Sequence, residues 1–344
     1  MSRGAPREGR GSRAANRAVG AGRFGFFHVD VAAIADLTPS MRRFTFVGPG
    51  LDDFADPGRD QRIKLVLPAP SGGYEHLPDG ENWYERWRAL PEERRNPIRT
   101  YTTRRVRPAG AGGAANAAGT DTGADPGGPT RVDVDMVVHE PLGPASRWIR
   151  DAAVGSRAVL LGPRRSWLRG RPPGAALSGG VDFVPPAVTE RFLLGGDETA
   201  APAIARILQD LPTTARGIAV VEMPTRADAA YLPDHPGFEV RVTGREGRTH
   251  GEALVEGVRR AAGELCPAGT AQEVEEIDVD HDLLWEVPRT ARGGAALRRT
   301  SLYAWLAGEA AAVRALRRHL VAERGVDRRS VAFMGYWRLG RAEN

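Results

Sequence analysis

Residues 191–211, RFLLGGDETAAPAIARILQDL, decide the fold. The run RFLLGG reads as a buried strand, GGDET as a glycine-rich turn, and TAAPAIARILQDL as a helix with apolar residues at helical spacing. A strand that feeds a helix through such a turn is the repeating unit of a parallel α/β sheet, whose ligands sit beyond the carboxyl ends of the strands. Downstream text continues the pattern. GIAVVEM (217–223), FEVRVTG (238–244) and SLYAWLAG (301–308) read as strands, EAAAVRALRRHLVAERG (309–325) as a long amphipathic helix, and SVAFMGYW (330–337) as a last strand. Residues 267–298 resist assignment; their acidic run EVEEIDVDHDLLWEV is read as a solvated face with Leu283, Leu284 and Trp285 packing inward.

Upstream the texture is different. FGFFHVDVAAIADL from Phe24, MRRFTFVG, QRIKLVLP, IRTYTTRRV, RVDVDMVVH and RAVLLGP are short runs of alternating β-branched and aromatic residues bounded by Gly, Pro or Asp. That pattern predicts an antiparallel sheet or barrel. NWYERWRALPEERR predicts a helix over 83–95 and GPASRWIRDA a short helix. The organisation expected is a basic disordered arm at 1–23, a β-barrel domain at 24–170 with a flexible insertion at 108–129, a Pro/Gly-rich linker at 171–187 and an α/β domain at 188–344.

Length and charge narrow the class. The chain has 344 residues, 41% hydrophobic and 26% charged, enough for two domains with cores. Its formal +5 invites a polyanion. Residues 1–23 hold six arginines against one acid, however, and the remainder has 42 basic against 42 acidic residues, so a nucleic-acid binder is not expected. Lys64 is the only lysine. Cys266 is the only cysteine, which excludes an internal disulfide and a Cys-ligated iron–sulfur or zinc site. Redox chemistry would need an added cofactor. With no apolar run of about 20 residues and no apolar signal core near the N-terminus, a cytoplasmic protein is expected.

Two motifs carry chemistry. Arg99, Tyr101, Thr102 and Arg104 in IRTYTTRR suit a flavin: an arginine fork for phosphate oxygens, a tyrosine ring against the isoalloxazine, and a threonine near its N5 and O4. The same set also describes an amphipathic edge strand with surface arginines. In HEPLGPAS, Gly143 and Pro144 permit close backbone approach, and the amides of Ala145 and Ser146 open a helix that can receive a pyrophosphate. Ser146 as a simple cap is compatible with that reading.

With W-x-x-x-W-R-A-L-P-E-x-R-R before R-T-Y-T, H-x-x-x-G-P-A-S-x-W at 139–148, G-G-D-E-T-A at 195–200, A-W-L-A-G-E and a C-terminal G-Y-W-R, the chain from Phe24 onward resembles the siderophore-interacting proteins. These are FAD-dependent ferric-siderophore reductases, a branch of the ferredoxin reductase superfamily. The resemblance implies a flavin-binding antiparallel barrel followed by a parallel-sheet, nicotinamide-binding-like domain. It places His139 near the flavin or its ribityl chain, against the alternative of a strand-end histidine satisfied by a neighbour. It turns Asp197 and Thr199 toward the nicotinamide side, against the alternative of a helix cap with acids on the helix dipole. Gly308 and Glu309 form a second strand-to-helix turn on the same edge, and Tyr336 or Trp337 is the ring set against the flavin, with Trp337 carried forward.

Glu222 ends a strand where an acid binds a ribose 2′-hydroxyl and disfavours a 2′-phosphate, which leans toward NADH; Arg226 argues for NADPH. Lys64, Arg164 and Arg338 are candidates for a basic rim that meets an anionic ferric siderophore. The expected activity is reduction of the ferric siderophore to release Fe(II), with NADH or NADPH as donor and FAD linking the two-electron donor to the one-electron acceptor. The alternatives are a ferredoxin- or flavodoxin-dependent reductase of the same fold and a non-enzymatic siderophore-binding protein.

Overall fold

The computed structural model describes residues 22–110, 128–138, 143–171, 179–266, 284–290 and 293–340. Residues 1–21 of the expected arm, most of the 108–129 insertion, His139, residues 172–178 of the linker and Leu283 lie outside them.

The first sheet is antiparallel throughout. It comprises β1 (Phe24–Thr38), β2 (Met41–Val47), β3 (Arg62–Val66), β4 (Ile98–Thr102), β5 (Arg105–Arg107), β6 (Arg131–Val137) and β7 (Arg157–Pro163), in the order β4-β3-β7-β1-β2-β6-β5. Its two edges, β4 and β5, are consecutive pieces of one segment. Thr103 N bonds Gln61 O on one side and Arg104 N bonds Asp133 O on the other, so the sheet curls back on itself. Alternate residues fill the interior, including Phe27, Phe44, Phe46, Ile63, Leu65, Val132, Val134 and Leu160, all buried. Each such side chain contributes about 1.5–3 kcal/mol on leaving water. One end of the interior is closed by α2 (Pro144–Asp151), whose Ile149 is buried and whose Trp148 stacks on Phe46 and leans on Phe44.

The helix expected over 83–95 is α1 (Trp83–Arg88) followed by a separate 3-10 turn at Glu92–Arg94. Pro91 divides them, because it has no N–H to continue the helix. After β7, the short α3 (Arg165–Leu168) ends the barrel unit.

The second sheet has the order β10-β9-β8-β12-β13-β11. Its parallel strands are β8 (Val188–Gly196), β9 (Gly217–Met223), β10 (Phe238–Gly244), β12 (Arg299–Glu309) and β13 (Val331–Trp337); β11 (Trp285–Glu286) is an antiparallel edge. Helix α4 (Ala201–Asp210) covers one face, while α5 (Glu252–Leu265) and α6 (Ala310–Arg317) cover the other. Strand alternation sorts the two cores: Phe192, Leu194, Tyr303 and Trp305 face α4, and Leu193, Leu302, Ala304 and Leu306 face α5 and α6. Helix α5 is the crossover from β10 back to β12, and the sequence reading assigns no element there. Helix α6 is shorter than the 309–325 run suggests and continues as a π-helical turn through Glu323.

The strand order reverses between β8 and β12, which defines the switch point of this sheet. The barrel packs on the α4 side, where Met41 and Val137 join the α4 core. Polar contacts complete this junction. Asp228 accepts from Thr38 Oγ1, Ser40 N and Ser40 Oγ. Arg206 of α4 reaches Asp56 Oδ2 at 3.2 Å and Arg104 O at 3.0 Å. The linker is structural too: Val181 to Val184 are buried, and Asp60 accepts from the amides of Asp182 and Phe183. Trp285, expected inward, is 38% exposed at the sheet edge, whereas Leu284 is buried.

Candidate functional site

Cross-strand pairing fixes which way the β4 side chains turn. Arg99 pairs with Leu65 and Tyr101 with Ile63, so both share the face of the barrel interior; Thr100 and Thr102 pair with Lys64 and Arg62 and share the outer face. Tyr101 and Ala145 of α2 are half-buried against the same barrel core. On the outer face Lys64 is exposed and donates Nζ to Thr100 Oγ1 at 2.6 Å.

Among the described residues no side chain caps the start of helix α2. Gly143 is its N-cap, Pro144 its first residue, and the first helical bond runs from Arg147 N to Gly143 O at 3.0 Å. Ser146 therefore stands inside the first turn rather than at the cap. The amides of Ala145 and Ser146 have no acceptor within the helix. A Cβ on Gly143 would meet no described residue within 4 Å. Uncapped amides at the positive end of a helix suit a pyrophosphate, and this donor set fits FAD.

At the switch point a second constellation gathers. Asp197, just beyond β8, is 1% exposed. Its Oδ1 accepts from Thr199 N at 2.9 Å and Thr199 Oγ1 at 2.5 Å; its Oδ2 accepts from Glu309 N at 2.8 Å and Trp337 Nε1 at 2.8 Å. Gly308, at φ +143°, makes this possible, since a Cβ there would lie 2.6 Å from Asp197 Oδ2. Burial and the neighbouring Glu198 push the Asp197 carboxyl up to about 6. Glu309 caps α6, its side chain accepting from the amides of Ala311 and Ala312. Thr199 does not cap α4, whose N-cap is Ala200. The motif residues Asp197, Thr199, Gly308, Glu309 and Trp337 thus meet at one point.

Other candidates are engaged elsewhere. Arg104 is buried at the junction, with Nη1 on Gln209 Oε1 at 2.6 Å and Nε 3.5 Å from Asp135, so its guanidinium joins the two units. Glu222 is fully buried and accepts from the amides of Gly251 and Leu254 at 2.9 Å, with Arg245 at 3.4 Å. Its carboxylate caps α5 instead of facing an open ribose site. Arg164 lies 3.9 Å from Asp53, and Arg338 follows Trp337, half-buried.

Arg62, Asp182, Asp60 and His250 matter here and are absent from the sequence reading. Arg62 lies 4.3 Å over the Trp285 ring, Trp285 stacks on Tyr336 at 5.7 Å, and Arg62 Nη2 is 2.7 Å from Asp182. This chain of contacts joins the outer face of β3 and β4 to the end of β13. Asp60, fully buried, also accepts from Trp305 Nε1, and burial with the adjacent Asp182 pushes its carboxyl up to about 6. His250 stands edge-on to Trp337 at 5.1 Å. No local motif marks Arg62, Asp182, Asp60 or His250; only the fold brings them into contact with Trp285, Tyr336, Trp305 and Trp337.

Known proteins share this layout. Residues 189–340 match the family described as siderophore-interacting protein, and residues 30–167 match the siderophore-interacting FAD-binding domain. An uncharacterized protein of Mycobacterium tuberculosis is 30% identical over 317 residues, 91% of this chain and 90% of that one. The chain belongs to the siderophore-interacting protein family. Ferric vibriobactin reductase of Vibrio cholerae is 25% identical to this siderophore-interacting protein over 308 residues, 89% of this chain and 87% of the relative. Among solved structures, a siderophore utilization protein from T. fusca superposes with TM-score 0.58 at 25% identity, covering 95% of this chain and 98% of its own. SipS of Aeromonas hydrophila gives 0.58 at 22% identity, with coverage of 92% and 93%. FAD is the cofactor named for the barrel unit. No helix among the described residues is long and apolar enough to cross a membrane.

Proposed function

We propose that this siderophore-interacting protein is an FAD-dependent reductase of ferric siderophores, with a nicotinamide as electron donor. The observation that carries the proposal is the pairing of an FAD-binding barrel unit with a parallel sheet whose switch point is tied to the barrel through Arg62, Trp285 and Tyr336. The ferric vibriobactin reductase relative supports the substrate class. In this reading residues 24–170 form the flavin half and 188–344 the nicotinamide half.

Bound FAD supplies the step between a two-electron hydride donor and one-electron Fe(III). The chain's own residues bind and orient. The Ala145 and Ser146 amides receive the pyrophosphate, with Arg99 as a second phosphate contact; Tyr101 and Thr102 border the ring system. Asp197, Thr199 and Glu309 form a fixed polar floor at the switch point, where the nicotinamide end is received. Lys64 on the exposed outer face, with Arg164 and Arg338 as further cations, meets the anionic substrate. Fe(II) binds hard oxygen ligands more weakly than Fe(III), so reduction releases the metal and needs no protein iron site.

The test is an anaerobic turnover assay with FAD-loaded protein, NADH or NADPH, a ferric hydroxamate or ferric catecholate, and an Fe(II) chelator. The proposal expects donor-dependent formation of the Fe(II) chelate. Iron that stays ferric with both donors refutes it, and electron delivery by reduced ferredoxin alone would transfer the reading to a ferredoxin-linked reductase.

A further inference from the structure

Cross-strand pairing lays a row of side chains over the outer face of the barrel sheet. Lys64 of β3 pairs with Leu161 of β7, and Leu161 pairs with Phe26 of β1, so a cation, an aliphatic and an aromatic side chain stand side by side. Strands lie about 4.8 Å apart, which puts the Phe26 backbone roughly 10 Å from that of Lys64. Where β1, β7, β3 and β4 pair, the outward residues include one carboxylate, Asp30, and it lies opposite Arg157 at the far end.

Helix α1 walls this row. Trp83 stands edge-on to Phe26 at 5.1 Å and 88°, and Tyr84 edge-on to Trp83 at 5.5 Å. At the other end of the helix Trp87 is buried and donates Nε1 to Asn96 O at 2.9 Å; Asn96, also buried, donates Nδ2 to Leu67 O and Gly73 O, both at 2.8 Å. The helix is thereby tied to β1 at its start and to the ends of β3 and β4 at its finish. Its anchor is inside, but its leading rings are not: Trp83 is half-buried and Tyr84 is 51% exposed, with Arg88 6.0 Å from the Tyr84 ring. Contiguous rings held at the surface by a buried anchor mark a contact site more than a core.

Resting on the reductase reading above, we infer that Phe26, Trp83 and Tyr84 form the specificity wall of the substrate face and select ferric tris-catecholates over ferric hydroxamates. The chemistry matches on two counts. A ferric tris-catecholate is a trianion that turns flat aryl rings outward; Lys64 supplies a cation, and the wall supplies offset or edge-on ring contacts. A ferric trihydroxamate has an uncharged metal core and aliphatic arms, which gain from neither. Position agrees as well. Thr102, assigned above to the flavin, stands on this same face two residues from Thr100, the partner of Lys64.

The experiment measures binding of redox-inert substitutes to the FAD-loaded full chain by calorimetry: the gallium(III) complexes of a hexadentate tris-catecholate and of a hexadentate trihydroxamate. Wild type should bind the catecholate complex about 10-fold or more tightly than the trihydroxamate. Trp83→Leu, which keeps apolar bulk without the ring, should weaken the catecholate complex about 3- to 10-fold and the trihydroxamate less than about 2-fold. Tyr84→Leu should move the same way by a smaller factor, and its exposure keeps the test available should Trp83→Leu fail to fold. The loss in Lys64→Ala should shrink with added salt, whereas the loss in Trp83→Leu should not, which separates charge from ring contact. A preference for the trihydroxamate, equal losses for both complexes, or no loss in either aromatic variant overturns the wall and leaves the reductase reading intact. Failure of wild type to bind either gallium complex also overturns the wall, and donor-dependent Fe(II) release by the same preparation then shows whether the reductase reading survives it.

Discussion

Asp228→Ala tests how the two halves are held in register. Asp228 accepts five hydrogen bonds: from Thr38 Oγ1 at 2.6 Å, Ser40 N at 2.9 Å and Ser40 Oγ at 3.0 Å in the barrel unit, and from Thr225 N at 3.0 Å and Thr225 Oγ1 at 2.8 Å in its own turn. The hydroxyls can rotate to other acceptors, and Thr225 is exposed enough for water to replace its partner. The Ser40 amide cannot, because Ser40 is 7% exposed. One orphaned buried amide costs about 1–3 kcal/mol, and losing the charged partner of the hydroxyls brings the total to roughly 3 kcal/mol. Asp228→Asn keeps the shape and should lose about half as much. The five donors hold the Asp228 carboxyl below its ordinary value. Its contribution is therefore complete above the unfolded value of about 3.9 and fades as pH falls through the lower folded value. Urea unfolding at pH 7 and again near pH 3 measures both effects. A loss at pH 7 below about 0.5 kcal/mol, well short of the cost of one buried unsatisfied amide, would refute the reasoning.

Other substitutions separate binding roles from structural ones. Arg99→Ala should weaken FAD binding about 10- to 100-fold, the value of one charge-assisted hydrogen bond to phosphate, measured by flavin fluorescence on titration. Lys64→Ala should raise the ferric-siderophore KM roughly 3- to 10-fold without loss of FAD; loss of FAD would move Lys64 from the substrate rim to the flavin. Arg104→Ala should destabilise the fold by about 2 kcal/mol, through Gln209 and Asp135, and change FAD affinity little. Glu222→Gln should lower stability by about 1–2 kcal/mol, since it disturbs the cap of α5, yet leave the ratio of NADH to NADPH activity unchanged.

The architecture was legible because periodicity is a local property. Alternation in FGFFHVDV and MRRFTFVG could be satisfied only by a half-buried strand, and the glycine turn in RFLLGGDETAAPAI announced a strand entering a helix. That residues 197, 199, 308, 309 and 337 gather at one sheet edge was also readable, because each stands where a parallel strand ends; their role toward a nicotinamide came from the family resemblance and is a proposal. Long-range pairing was not readable. Glu222 looked like a ribose ligand until α5 placed the Gly251 amide, 29 residues on, against it. Arg104 was one arginine among many, and nothing local tells that Gln209, 105 residues away, will receive it. Asp228 has the spacing of a capping box with Thr225, but its larger role lies in the barrel unit. His250 and Trp285 carry no motif, and they matter through the orientation of Trp337 and Tyr336.

The central claim is that the barrel unit holds a flavin that the α/β unit allows a nicotinamide to reduce and a ferric siderophore to reoxidise. The most direct measurement follows the visible flavin spectrum of the purified protein under anaerobic conditions, first on adding NADH or NADPH and then on adding a ferric siderophore. The account predicts flavin bands that bleach with the nicotinamide and return with the siderophore as Fe(II) forms. A protein that takes up no FAD when it is supplied would contradict it.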